Sequence, residues 1–137
     1  MISSFTGKSL PITIRLSIAK SGFVTGEIIL FDAFIDNQSS KKFKLYVKII
    51  SITKLFASDG STKFFSLNIA KTNFPNKIME QSSENWTNGA LTIPTGTPSS
   101  NTTSDVVKLF YFVVLRIKNK LKLFDVRIPI TIGTITF

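Results

Sequence analysis

The 137-residue chain contains neither cysteine nor histidine. Without cysteine there is no disulfide and no thiol nucleophile, and a reducing compartment is favoured. Without histidine the commonest general base and the commonest transition-metal ligand are both gone. Acids are scarce as well: 8 Asp and Glu face 17 Lys and Arg, for a formal charge of +9 and a pI near 10.0. Long apolar runs are missing too. The longest, Leu109–Leu115 (LFYFVVL), is far short of the about 20 residues that cross a bilayer. The N-terminal stretch MISSFTGKSLPITIRL lacks the basic-then-apolar layout of a secretory signal. A cytoplasmic protein is expected, with peripheral membrane contact open to it.

What is present is apolar and aromatic. Hydrophobic residues make up 43% of the chain and thirteen residues are Phe, which marks a folded rather than a disordered protein. The length suits one domain over residues 1–137, able to remove roughly 68% of its unfolded surface from water. No linker, repeat or low-complexity tract divides it. A chain this basic attracts acidic surfaces such as phospholipid headgroups or phosphorylated protein segments. No RNA- or DNA-binding motif accompanies the charge, so nucleic acid is not expected as a partner.

Apolar residues recur with period two, the signature of strands with one buried face. The pattern begins near residue 10 with Ile12, Ile14, Leu16 and Ile18 on one parity. It resumes with Ile29, Phe31, Ala33 and Ile35, then with Phe43, Leu45, Val47 and Ile49. A less regular strand follows in KFFSLNIA. Residues 71–85 read as a polar loop, and WTNGALTIP as a short strand stopped by Pro94. The longest strand carries Val107, Leu109, Tyr111, Val113, Leu115 and Ile117 on one face. The last carries Phe124, Val126, Ile128, Ile130 and Ile132; Pro129 restricts it to an edge or to a slot where the missing donor would face outward, and it reads as a closing edge strand. Helix periodicity is nowhere sustained. About seven strands in two packed antiparallel sheets give an all-β, immunoglobulin-like sandwich. Its core is expected to include Ile14, Leu16, Phe31, Ile35, Val47, Leu91, Tyr111, Val113 and Ile130. Leu30, Phe34, Phe110, Phe112 and Val114 point outward on the same parity argument, so either loops cover them, they face the sandwich rims, or a second domain or partner subunit covers them. Phe110, Phe112 and Val114 form a candidate interface through which the isolated domain would make a homodimer.

Four segments, in order, resemble the C-terminal domain of the arrestin family over about Leu10–Phe137. They are SGFVTGEIILFDAFIDNQSSKK (residues 21–42), WTNGALTIP (86–94), VVKLFYFVVLRI (106–117) and IPITIGT (128–134). Thr25 stands where the family's turn usually has proline. The short loops are closer to the arrestin-domain-containing, or α-arrestin, branch. The resemblance implies a non-enzymatic adaptor or scaffold in intracellular trafficking or signalling, whose protein partners are a membrane receptor or cargo. It also implies an N-terminal arrestin domain in the parent protein. The branch recruits ubiquitin-ligase machinery through Pro-Pro-x-Tyr motifs, and the five prolines here form none.

Catalytic groups are poor. Asp32 and Asp36, four residues apart on a strand, stand roughly 13 Å apart, too far to share a proton or a small metal ion. Glu27 beside Gly26 reads as a solvated or backbone-capping carboxylate. Ser and Thr have no histidine to activate them, so no enzyme, no metal and no cofactor is expected. The sequons at Asn37, Asn85 and Asn101 read as chance in a chain rich in Asn, Ser and Thr. The basic clusters are more informative. Lys41, Lys42, Lys44 and Lys48 follow one turn into its strand, and Lys118, Lys120 and Lys122 crowd the last hairpin. They read either as guards against edge aggregation or as a contact for an anionic membrane or phosphorylated tail. A basic β-sandwich that binds anionic lipid headgroups or other polyanions is the alternative to the adaptor.

Overall fold

The computed structural model describes residues 3–9, 11–100 and 107–133. The described residues form nine strands: β1 (Ser3–Ser9), β2 (Ile12–Ile18), β3 (Gly22–Val24), β4 (Ile28–Asn37) and β5 (Lys44–Phe56) come first. They are followed by β6 (Thr62–Asn73), β7 (Ser82–Thr92), β8 (Val107–Lys118) and β9 (Leu123–Gly133). A four-stranded sheet of order β1-β2-β4-β7 packs on a five-stranded sheet of order β3-β9-β8-β5-β6. This is the expected sandwich, and all nine expected core residues are buried. Leu16, Ile35, Val47 and Val113 are fully so.

The rows meet because the registers keep parity. Ile14 opposes Ile35 and Leu16 opposes Ala33 in one sheet, while Tyr111 opposes both Ser51 and Ile130 in the other. Side chains of one parity share a face, so each pairing joins apolar rows into one inner surface. The Tyr111 hydroxyl, carried into the core, donates to the Pro98 carbonyl at 2.5 Å, and burial raises its pKa. A bulge between β4 and β7 sits at Phe31/Ala33, where the Asp32 carboxylate accepts from the Asn88 amide at 3.1 Å. Asn88 there has φ of 55°. The next residue is glycine for a steric reason: a Cβ on Gly89 would fall 2.2 Å from the Phe31 ring.

Two strands exceed the expected seven. β1 shows no alternation and exists by pairing along β2, from Ser3↔Ile18 to Ser9↔Ile12. β3 lies in what reads as a turn. It joins the sheet in parallel, Gly22–Val24 against Thr131–Gly133, so β9 pairs with β8 up to Ile130 and with β3 beyond it, and is not the sheet's edge strand. Upstream, at Pro129, only β8 is paired with it, which is where a residue without an N–H is tolerated. Thr25 has a physical reason not to be proline: its amide donates to the Gly133 carbonyl at 3.3 Å. Glu27 is a backbone cap, accepting from the Val24 amide at 3.0 Å and pairing with Lys20. The Lys20 contact, opposed by burial and helped by the Val24 amide, holds its pKa below the usual carboxylate value.

The expected loop at 71–85 is shorter, with strand at both ends. β6 runs to Asn73 and β7 starts at Ser82, with a short connection that bridges Ile78 to Phe43. This connection lies away from Phe110, whose register partner is Ile52.

Candidate functional site

Among the described residues, the outward row of the five-stranded sheet gathers cations from four strands. On β5 it holds Lys44, Tyr46, Lys48 and Lys54; their register partners include Lys118, Arg116, Lys71 and Lys108. Arg127 on β9 pairs with Val114, itself the partner of Lys48. One carboxylate shares this face, Asp125, which accepts from Arg116 at 3.0 Å. Lys44 and Lys48 of one sequence cluster and Lys118 of the other are thus brought together. Lys54, Lys71, Lys108, Arg116 and Arg127 are additional. Their signal was the same parity on neighbouring strands, which only the register makes visible.

Tyr46 organises the centre of the face. It is buried beneath the Nζ atoms of Lys71, Lys118 and Lys48 at 4.2, 5.6 and 5.9 Å from its ring centroid. Each cation rests against the negative face of the ring while its aliphatic stem covers apolar surface. Arg116 donates to the Tyr46 hydroxyl at 3.5 Å, and its Nε is buried without a hydrogen-bond partner. Burial opposes the Arg116 charge, but the bonds to Tyr46 and Asp125 outweigh it and raise its pKa.

Lys48 is 8% exposed and donates to Asn68 Oδ1 at 3.1 Å. Burial, followed by repulsion from Arg116, lowers its pKa. Folding therefore disfavours the protonated form. That cost is complete below the folded pKa and fades as pH rises towards the ordinary lysine value of about 10.4. Lys48→Met is expected to stabilise the domain by about 1 kcal/mol at neutral pH, with the gain shrinking over that alkaline window. Urea unfolding across pH measures this. No gain at neutral pH would mean that the bond to Asn68 outweighs the burial.

At one end of the face, Lys42, Phe43, Lys44, Lys77, Lys118, Asn119 and Lys120 line a cavity of about 380 Å³. Two clusters far apart in sequence meet here. Lys41 and Lys122 lie in the adjoining turns and do not line it. Lys77 was not evident from sequence. It arrives through the Phe43–Ile78 bridge, made by two backbone bonds of 3.0 and 2.8 Å. Beneath the turn, Asn37 is fully buried. Its Nδ2 donates to the Lys41 and Met79 carbonyls at 2.8 and 2.9 Å, and its Oδ1 accepts from Ser39 N and Oγ at 3.1 and 2.6 Å. This asparagine is no glycan acceptor; Asn85 is exposed, and Asn101 lies outside the described residues.

The expected apolar interface is corrected in part. Val114 is fully buried, placed in register between the long side chains of Lys48 and Arg127. Phe112 is half-buried and Phe110 is 44% exposed; both line a hollow with Pro129 and Thr131. Asp32 and Asp36 serve the backbone and polar neighbours, Asp36 accepting from Gln38 Nε2 at 2.6 Å. No group of three metal-ligating side chains occurs among the described residues. Nor is any helix among them long and apolar enough to cross a membrane.

A family model described as "Arrestin (or S-antigen), C-terminal domain" matches residues 8–137. No curated protein matches the chain.

Proposed function

The chain belongs to the arrestin family as a C-terminal arrestin domain, and on that premise we propose that it is a non-enzymatic adaptor module acting in intracellular trafficking or signalling. Domains of this family are scaffolds that bind protein partners. Here the partner is a membrane receptor or cargo, and the parent protein places an N-terminal arrestin domain beside this one. Ubiquitin-ligase machinery is recruited through other regions of that parent. Phe110 and Phe112 offer apolar surface to that N-terminal domain or to a second copy of this one.

The lysine-lined cavity carries the local part of the proposal. It docks the module on anionic headgroups at the cytoplasmic membrane face, so that the adaptor meets its cargo in two dimensions. Five lysines around one hollow repel one another unless an anion neutralises them, and the hollow is large enough for a phosphorylated headgroup. A basic domain that binds polyanions and no protein is the second reading, favoured by the same cavity. Flotation with phosphatidylserine vesicles and capture of proteins from cytosol separate the two. The adaptor reading expects a reproducible protein partner. Salt-sensitive flotation with no protein recovered would replace it by the second.

A further inference from the structure

Among the described residues β6 is the open edge of the five-stranded sheet, and most of it is unguarded. Sheet edges are normally protected by lysines, prolines or bulges. β6 has Lys63 near one end and Lys71 near the other, with a bulge at Ile69 where the register to β5 shifts. From Ile69 onward the strand is anchored, Ile69 and Ala70 packing against the core. Before the bulge, Thr62–Asn68 is exposed throughout. Phe64, Phe65 and Leu67 stand 64%, 53% and 64% exposed within that window. Phe64 shares the outward row with Lys54, whereas Phe65 and Leu67 pair with Thr53 and Ser51 on the inner row. Apolar side chains thus flank both sides of an unpaired backbone edge.

We infer that this edge takes up an extended, acidic peptide segment of a protein partner as an added antiparallel or parallel strand. The backbone edge supplies hydrogen bonds, and alternating apolar side chains of the peptide cover Phe64 on one face and Phe65 and Leu67 on the other. Charge selects an acidic segment. Lys54, Lys63 and Lys108 surround the window, with Lys54 Nζ 4.9 and 5.7 Å from the rings of Phe56 and Phe64 and Lys108 Nζ 5.8 Å from Phe56. The nearby acid, Asp59, is engaged by Ser61 N and Oγ in the turn. A lipid surface fits less well, because hydrocarbon leaves the edge's N–H and C=O groups unpaired. A second copy fits less well too: β6 carries lysines and no carboxylate, so self-pairing gathers like charges.

The test uses the whole chain and an N-acetylated octapeptide of alternating Val and Glu, followed by amide hydrogen exchange. Protection confined to residues 62–68 is expected. Phe64→Ser with Leu67→Ser should weaken binding by about tenfold or more while leaving the fold intact, since both side chains are exposed. Lys42→Gln with Lys44→Gln and Lys118→Gln should leave peptide binding unchanged, so this inference and the headgroup cavity fail separately. Equal binding of a Val and Lys octapeptide would overturn the charge argument. Protection elsewhere, or the same protection from phosphatidylserine vesicles alone, would overturn the strand, and self-association abolished by the β6 variant would assign the edge to a second copy.

Discussion

Asn37→Ala is expected to lower stability by about 3 kcal/mol. The amide is fully buried and its hydrogen bonds serve three separate points of the chain. Removing it strips donors from two backbone carbonyls and an acceptor from Ser39, and no water-sized replacement of the lost side chain can restore all of them at once. At about 1 kcal/mol for each of these three points the sum gives the stated loss, or roughly 10 °C in melting temperature for a domain this size. Asn37→Asp is the sharper variant. It keeps the acceptor for Ser39 but turns a carboxylate towards the Lys41 and Met79 carbonyls, so it should destabilise as much at neutral pH and recover in part as acid protonates it. Thermal melts of both variants, followed across pH, check this. Either variant melting within about two degrees of wild type would show that the turn is closed by the Phe43–Ile78 bridge instead.

The inner half of this fold is legible in the sequence and the outer half is not. Ile14, Leu16, Ile35 and Val113 declare themselves because a strand's parity is a local property, fixed by the backbone within each strand. Which strands lie side by side is not local. Lys71 stands next to Lys48 only because a bulge at Ile69 sets the register of β6, and Arg127 reaches Val114 only through the β8–β9 pairing. The same limit explains Val114: its parity is outward, as read, but long cross-strand neighbours bury it. β3 shows the limit most plainly, since three residues between two glycine turns become a strand only when the end of β9 arrives to pair with them. Lys42, Lys44, Lys118 and Lys120 were recognisable as basic clusters, yet their convergence on one hollow with Lys77 rests on the β5–β8 register and the Phe43–Ile78 bridge, neither of which is local in sequence.

Lys42→Gln, Lys44→Gln and Lys118→Gln together are expected to weaken binding to phosphatidylserine vesicles by roughly a hundredfold, at about 1 kcal/mol for each lysine near an anionic surface. All three side chains are exposed, so the triple variant should fold as wild type does. Net charge alone predicts a similar loss from any three lysines, and the geometry does not. Lys54, Lys63 and Lys108 lie at the other end of the same sheet, where Lys54 pairs with Lys108 while Lys44 pairs with Lys118. Converting those three to glutamine removes the same charge from the long-range field but leaves the cavity whole. The cavity reading therefore expects the first triple to lose far more binding than the second, with a flatter dependence on salt in what remains. Equal losses would mean that the excess of lysine acts as a diffuse field. In that case the hollow between Lys42 and Lys120 is only the place where two charged turns happen to meet.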